Sequence, residues 1–307
     1  MSFHSDANNA SATTVNSLAI SSALAVSAGD AIIATMWSGY PFTVITLSDG
    51  GAGNSYEYVG AVGSNSVAVT FTAAPSGTSA TLTSAWTNST GLTALTFSDG
   101  EVRLATFTDT STAVTWSGAL TGSPTTSATA LVSGSFLPFW VAQNCAAGST
   151  TITVSQSSGT TIQAIYAQSR SGLAASGQLV LATAFNYQSG PGSEGANILT
   201  SGTVAPTFSK NADLFGFCWD NGAQQTPVAG TSPTVFTART SCWQAATGND
   251  ELNGATPEDA SVTAPVAATF GINTTGGQYD SYLTAAIALA QASVATYPLP
   301  SQIYIMP

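Results

Sequence analysis

The feature of the sequence that most restricts its fold is the stretch Ser79–Leu120, in which two alternating polar and apolar runs flank Asp99-Gly100. Asp-Gly predicts a two-residue hairpin loop, because a type I′ turn needs two residues that tolerate positive φ. A hairpin closed at this turn pairs Phe97 with Val102, and a slip of one residue would mix its two faces. The expected apolar face holds Leu95, Phe97, Val102 and Leu104, and the expected polar face holds Thr96, Ser98, Glu101 and Arg103.

The segments around this hairpin predict more strands of the same small sheet. Residues 80–86 and 113–116 also alternate, and they are expected to form its outer strands. Glu101 and Arg103 are neighbours on the predicted polar face and are expected to pair. An exposed ion pair of this kind contributes only about 0–1 kcal/mol.

The rest of the chain favours an all-β fold. Short apolar or alternating segments separated by Gly, Ser and Pro continue to Tyr282–Ala290, and only weak helix candidates interrupt them. Ala31–Trp37 is nearly continuous in apolar character, which predicts a strand buried on both faces. The expected architecture is a jelly-roll-like β-sandwich with a small inserted β-sandwich or hairpin module.

The predicted organisation has four parts. Residues 1–16 are expected to form a polar N-terminal arm or irregular lead-in, and residues 65–134 the inserted module. Residues 17–64 and 135–292 are expected to form one discontinuous sandwich, because insertions are tolerated at surface loops whose strand ends lie close together. Residues 293–307 are expected to form an extended C-terminal arm. The alternative is a series of domains along the chain.

Charge and cysteine content narrow the classes of partner. The 307 residues carry a net charge of −11, with Arg103, Arg170, Lys210 and Arg239 as the only cations. Four cations cannot neutralise a phosphate backbone or an anionic bilayer, so neither nucleic acid nor membrane is an expected partner. No signal peptide is evident, and Tyr282–Ala290 is too short to cross a bilayer.

The three cysteines are too few for a disulfide framework or a zinc site. Cys145, Cys218 and Cys242 are expected to be small buried residues, and a bridge between Cys218 and Cys242 is left open. This cysteine content fits folding in a reducing cytosol.

The hairpin stretch resembles a short β-module that recurs in virion proteins of tailed bacteriophages. The resemblance is carried by Ala80-Thr81-Leu82, Ala85-Trp86, Thr96-Phe97-Ser98-Asp99-Gly100-Glu101-Val102-Arg103, Ala113-Val114-Thr115-Trp116 and Ala119-Leu120. The flanking segments are similar to jelly-roll domains of phage structural proteins through Ala28-Gly29-Asp30, Ser48-Asp49 with Gly53-Asn54, and Ala147-Gly148-Ser149. The resemblance implies a virion component exposed on a capsid or tail, and it supplies no catalytic residues.

The sequence offers little for catalysis, and no catalytic, cofactor-binding or metal-binding residue is predicted. The single histidine, His4, lies in the polar N-terminal region, where a packed orienting shell is not expected. The adjacent acids Asp250-Glu251 and Glu258-Asp259 point to opposite faces if they lie on strands, so neither pair is a dyad.

Two weaker binding hypotheses come from the acidic and aromatic residues. The segment Asn249–Asp259 is expected to be a solvated acidic loop, with a calcium site near Asp250 and Glu251 as the alternative. Aromatic residues could form a sugar-binding platform, although core packing is the simpler expectation for them. These residues are Tyr40, Tyr56, Tyr58, Trp219 and Trp243.

These observations predict a non-enzymatic structural protein of a phage particle, assembled in the host cytoplasm. A capsid decoration or cement protein is the first expectation, with the major capsid protein or other virion proteins as partners and a homo-oligomer, such as a trimer, as its state. The alternative is a tail or head fibre or adhesin that binds a host surface glycan through the inserted module. A polysaccharide depolymerase ranks third.

The C-terminal residues predict an assembly arm. Pro298 and Pro300 favour an extended backbone, and the residues after them are apolar. The arm is expected to dock on a neighbouring subunit or the capsid, by strand addition through Ile303–Met306. The alternative is that it folds back on its own sandwich. Its contact residues are expected to be Tyr297, Leu299, Ile303, Tyr304, Ile305 and Met306.

Overall fold

The computed structural model describes residues 2–39, 45–88, 90–156, 162–191, 195–203, 212–220, 227–230, 236–239, 242–243, 254–262, 266–272 and 279–292. All regular structure in these residues is β-strand. The strands are β1 Ser2–Val15, β2 Ser17–Ala19, β3 Leu24–Val26, β4 Ala31–Gly39, β5 Ile45–Ser48, β6 Tyr56–Thr70, β7 Ser79–Thr81, β8 Gly91–Phe97, β9 Val102–Phe107, β10 Ala113–Trp116, β11 Ser127–Ala142, β12 Gly148–Thr150, β13 Thr153–Gln156, β14 Ile162–Ser171, β15 Val180–Pro191, β16 Gly195–Thr203, β17 Ala212–Asp220, β18 Pro227–Ala229, β19 Thr237–Ala238, β20 Cys242–Trp243, β21 Gly254–Val262, β22 Ala267–Ile272 and β23 Tyr279–Ala290.

The strands form four layers, and all their pairings are antiparallel. The large sheet has the order β1-β14-β4-β11-β8-β9-β10-β7, with β6 on the other side of β11. The second sheet has the order β15-β23-β17-β21-β19, with β20 also paired to β21. Small sheets cover the two outer faces. The near cover consists of β2-β13-β5 and β12-β3, and the far cover of β16-β22-β18.

Apolar side chains fill the three spaces between these layers. The large and second sheets pack face to face through residues such as Phe139, Phe217 and Leu283, which are at most 2% exposed. The near cover packs on the opposite face of the large sheet around Ile32 and Val154. The far cover packs on the second sheet around Phe270. The prediction of an all-β, jelly-roll-like sandwich with a small inserted β-module is confirmed.

Strand β4 shows why the central strands are apolar. Ile33 faces the second sheet and Ile32 faces the near cover, and both are fully buried. A strand covered on both faces needs apolar side chains at successive positions rather than at alternate ones. The continuous apolar run at Ala31–Trp37 is therefore a buried central strand, as predicted.

The N-terminal residues differ from the expected irregular lead-in. Residues Ser2–Val15 form β1, which pairs with β14 along the edge of the large sheet. An edge strand accepts polar side chains on its exposed side, and here Ala7 and Ala10 supply the apolar contacts with the core. The polar composition of this segment therefore reflects its place at the sheet edge.

The predicted hairpin forms at Asp99-Gly100, but its predicted turn and register are wrong. Phe97 N–H donates to the Glu101 carbonyl at 2.8 Å, which leaves a three-residue loop. Gly100 has φ +87°, as expected for a type I turn followed by a bulge. The loop moves the register by one residue, so Thr96 pairs with Val102 and Leu95 with Arg103.

The alternation of polar and apolar residues could not distinguish the observed register from the predicted one, because both faces of the hairpin pack against other parts of the protein. One face contributes Leu95, Phe97, Ala105 and Phe107 to a core of the module's own. The other face packs Ala94, Leu92 and Leu104 against the core beneath the near cover. Either register therefore buries apolar side chains, and the turn decides between them.

The inserted module curls into a nearly closed barrel. Its sheet runs β11-β8-β9-β10-β7 and then returns to the end of β6 through a bridge between Phe71 and Leu82. The predicted outer strand at 113–116 forms, whereas the one predicted over 80–86 is a strand only up to Thr81. Thr83 N–H donates to the Thr70 carbonyl and Thr72 N–H to the Thr81 carbonyl, both at 2.9 Å. The barrel interior is rich in aromatic rings, namely Phe71, Trp86, Phe97, Phe107 and Trp116.

Two long strands join this module to the sandwich. β6 and β11 pair from the Tyr56–Ala142 pair in the sandwich to the Thr70–Ser127 pair in the module, with three irregularities. The predicted boundaries near residues 65 and 134 therefore fall inside continuous strands. The division of the chain into domains remains a prediction.

Gly60 is required where β6 passes the second sheet. It has φ +141°, and a Cβ at this position would lie 2.3 Å from Cε2 of Phe185. We expect Gly60→Ala to lower the free energy of unfolding by at least about 2 kcal/mol, because it adds steric overlap to backbone strain. Gly53→Ala is the control, since Gly53 has φ +75° but open space around it. Urea denaturation measures both variants, and equal losses would contradict the role of the Phe185 contact.

Candidate functional site

A group of buried charged and polar side chains joins the large sheet to the second sheet. We call it the Arg170 cluster. Tyr166, Gln168 and Arg170 lie on β14, Asp213 on β17 and Asp259 on β21. Asp6 on β1 and Arg239, which follows β19, complete the cluster. It therefore links four long strands and two sheets at one flank of the sandwich.

Two arginines hold the cluster together. Arg170, which is 3% exposed, pairs through Nη2 with Asp213 Oδ2, and the same nitrogen lies 3.7 Å from Asp259 Oδ1. Arg239 donates through Nε to Asp259 Oδ2, and its Nη2 lies 2.7 Å from Oδ1 of the same carboxylate. The Arg239 guanidinium also lies 4.2 Å above the ring centroid of Phe3. Asp259 is thus shared by the two cations.

The cluster is enclosed, and burial shifts its titrations. Burial raises the pKa of Asp213 to about 6, although Arg170 opposes the shift. The Tyr166 hydroxyl lies 2.9 Å from Gln168 Oε1 and 3.2 Å from Asp6 Oδ2, and burial raises its pKa well above the usual value. Within the described residues, Gln168 Nε2 and the Nε and Nη1 of Arg170 have no hydrogen-bond partner. What the described residues form here is a buried network of ion pairs.

The pattern of the sequence does not predict this cluster. Its members are distant in the sequence, and each sits within a strand-like segment. The available signal was that Arg170 and Arg239, two of only four cations, follow apolar segments. A cation in such a place needs a buried partner.

Glu258 lies on the other face of β21 and is fully buried between the second sheet and the far cover. Its Oε2 accepts the Gly230 N–H at 3.0 Å, and the backbone of Thr269 also contributes a hydrogen bond to the carboxyl group. Burial raises the pKa of Glu258 to about 9. At neutral pH this side chain is therefore a protonated, uncharged acid.

The expected solvated acidic loop is therefore wrong where the structure describes it. Glu258 and Asp259 both lie in strand β21 and are buried. They point to opposite faces, as expected for neighbours on a strand. Asp259 pairs with Arg170 and Arg239 on one face, and Glu258 accepts the Gly230 N–H on the other. Asp250 and Glu251, including the alternative calcium site, lie outside the described residues.

His4 also has a more ordered setting than its polar neighbours suggested. It lies in β1, and its Nδ1 is 2.7 Å from Oδ2 of Asp30, which is 1% exposed. The same carboxylate oxygen accepts the Ser27 N–H at 2.8 Å. This pair anchors β1 to the turn before β4.

The predicted hairpin residues occupy a surface corner of the module. Glu101 pairs with Arg103 as expected, and Arg103 also donates to the Ala119 carbonyl at 3.0 Å. The Glu101 carboxylate accepts N–H groups of Thr121 and Gly122 at 3.1 and 2.9 Å. Phe97 is buried, whereas Val102 and Arg103 are half-buried and Asp99 and Gly100 are exposed. Their contacts fasten the loop 119–122 to the hairpin.

The module also contains a cavity, which we call the module slot. It has a volume of about 320 Å³ and lies between Val67–Thr70 of β6 and residues 82–88. Every lining residue is uncharged, and five of them carry hydroxyl or amide side chains. Those five are Thr70, Thr83, Ser84, Thr87 and Asn88.

Trp86 explains why the slot is open. Thr83 still bonds to β6, but at Trp86 the backbone bonds instead to the turn between β9 and β10. The Trp86 N–H donates to the Ser111 carbonyl and its own carbonyl accepts the Thr110 N–H, both at 2.8 Å. The Trp86 ring is 5% exposed and lies 4.2 Å from the ring of Phe107. Burying this ring draws the chain away from β6.

The aromatic residues support core packing rather than a sugar-binding platform. Trp219 is 1% exposed and stacks on Trp37 at 5.1 Å, between the large and second sheets. Tyr56 and Tyr58 pack on the opposite face of the large sheet. Tyr40 and the side chain of Trp243 lie outside the described residues, as do all the predicted arm residues from Tyr297 to Met306.

Cys145 and Cys218 are buried, which agrees with the expectation of small buried residues. Burial raises the pKa of Cys145 to about 11, so this thiol is protonated at neutral pH. Across the described ranges, no three His, Cys, Asp or Glu side chains come together in a way that could hold a metal ion. The same residues include no helix with the length and apolar character needed to span a membrane.

Comparison of the chain with protein-family models, with curated proteins and with solved structures finds no match.

Proposed function

We propose that this protein is a structural component of a bacteriophage particle, present as a capsid decoration or cement protein. It would bind the major capsid protein or other virion proteins and stabilise the shell through subunit contacts. Binding to the assembled state alone stabilises that state by mass action, without any chemical step.

The observation that carries the proposal is the placement of charge. The chain has 4 basic and 15 acidic residues. Among those whose side chains the structure describes, six are buried, namely Asp30, Asp49, Arg170, Asp213, Glu258 and Asp259. The described part of the exterior is therefore poor in charge for its size. Because charged residues are depleted in the cores of protein interfaces, such an exterior suits durable contact with other proteins.

A fibre or adhesin that binds a host glycan is the second candidate. The observation in its favour is the module, which has its own core and is carried on the ends of β6 and β11. A module with a core of its own suits contact with a receptor. The low charge of the described exterior also fits this candidate, so the number of copies per particle has to decide between the two.

The test is the copy number of the protein in purified particles, measured by gel densitometry against the major capsid band. A decoration protein is expected on the order of hundreds of copies, because it repeats with the symmetry of the shell. A count of a few to about a few dozen would instead favour the fibre. Absence of the protein from washed particles would overturn both candidates.

A further inference from the structure

Strand β6 presents an open edge inside the module slot. Val69 pairs with Ala128 of β11, and the Phe71 N–H donates to the Thr126 carbonyl at 2.8 Å. The backbone groups of Thr70 point the other way, where Thr70 O accepts the Thr83 N–H. Because strand residues alternate, the N–H and C=O of Ala68 also point away from β11 and into the slot. Among the described strands, only β11 pairs with β6.

The slot has the chemistry of a site for strand addition. An open edge offers N–H and C=O groups at the spacing of a peptide backbone, and an added strand satisfies them. The four lining residues of β6 span about 13 Å. Since every lining residue is uncharged, a charged side chain placed there would lose its hydration without gaining a partner. The ligand that fits is an extended, uncharged peptide.

We infer that the slot binds the C-terminal segment of a second copy of this chain, with Ile303–Met306 added as a strand beside Ala68. Residues 293–307 contain no charged side chain. Pro298 and Pro300 favour an extended backbone leading to this segment. The β-branched and aromatic side chains of Ile303, Tyr304 and Ile305 are those that strands prefer.

The lengths involved favour a second copy as the donor. The Ala292 N–H donates to the Gly172 carbonyl at 2.9 Å, at the end of the large sheet where β6 begins. From Tyr56 to Ala68 the strand covers about 40 Å, and β6 lies about 14 Å sideways from β14. The eleven residue steps from Ala292 to Ile303 span at most about 40 Å when fully extended. The segment of the same copy would therefore have to be fully straight to approach the slot, whereas a segment from a second copy meets no such limit.

This inference describes how copies of the proposed structural subunit join, and only its biological use rests on that proposal. Its test needs the purified protein alone. A failure here therefore leaves the copy-number experiment untouched.

The experiment compares the full-length chain with two variants by light scattering coupled to size-exclusion chromatography. One variant ends after Thr296 and lacks the donor segment. The other carries Ala68→Pro, which removes the N–H that points into the slot while leaving the pairing with β11 intact. We expect the full-length chain to have the mass of two or more copies and each variant alone to be monomeric. An equimolar mixture of the variants should form a complex, because one supplies the slot and the other the segment.

A synthetic peptide of residues 297–307 provides the second measurement. It should bind the truncated protein and lose at least about tenfold in affinity when its backbone is N-methylated at Tyr304 and Met306, since methylation removes donors of the added strand. Ser84→Trp fills the slot from its opposite wall and replaces Ala68→Pro if that variant fails to fold. An oligomeric mass unchanged by truncation, or a peptide that does not bind, would overturn the inference.

Discussion

Replacing Arg170 with methionine is expected to lower the free energy of unfolding by about 3–5 kcal/mol, the cost of breaking a buried ion pair from one side. Arg170 is the cation that Asp213 and Asp259 share inside the protein. Without it, both carboxylates stay buried and Asp213 loses its main source of compensation. Denaturation in guanidinium chloride at pH 7 measures the loss. The m value of the transition should stay the same, because a change in midpoint then reports stability alone.

A double variant separates the ion pair from its surroundings. Arg170→Met combined with Asp213→Leu removes both charges and keeps apolar volume in the space. Since well-packed apolar replacements of buried pairs are often neutral or better, we expect the double variant to recover most of the loss. A double variant as unstable as Arg170→Met would mean that the cluster stabilises through its shape rather than through its charges.

Replacing Glu258 with glutamine is expected to remove most of the pH dependence of stability between pH 6.5 and 8.5. The pKa of Glu258 is about 9 in the folded chain, against an ordinary value of 4.5. Between these values the folded state holds a proton that the unfolded state has released. The stabilising effect is therefore complete below about pH 4.5 and is lost as the pH rises towards 9, at up to about 1.4 kcal/mol per pH unit.

Glutamine keeps the shape and the acceptor for Gly230 but has no proton to lose. The variant should therefore match the wild type near pH 4 and exceed it in stability at pH 8.5. Asp213→Asn is the matched control, because the raised pKa of Asp213, about 6, confines its effect to lower pH. A wild-type stability that is flat from pH 6.5 to 8.5 would show that Glu258 is ionised in the folded protein.

The sequence predicted the positions of the strands better than it predicted their registers and the contacts between them. Local composition was enough to predict the buried strand at Ala31–Trp37, because a strand buried on both faces has apolar side chains at successive positions. It was not enough for the hairpin register, since both faces of β8 and β9 are apolar and only the three-residue loop distinguishes the alternatives. Turn type is set by backbone geometry, which the Asp-Gly signal narrows but does not determine.

The Arg170 cluster shows a different limit. Arg170, Asp213 and Asp259 come from three strands that are tens of residues apart in the chain and adjacent only in the folded protein. Nothing in the alternation of a single strand indicates which distant strand will lie opposite. The long-range pairing of antiparallel strands therefore has to be known before a buried charge can be given its partner.

The continuous course of β6 and β11 has a mechanical consequence. A pull on the module directed along the ribbon moves β6 and β11 together, so it loads in shear the hydrogen bonds that join β11 to β4. A module attached by a single flexible linker would swing on it and pass on little torque. Here a force on the module is transmitted along β11 into its pairing with β4 in the large sheet.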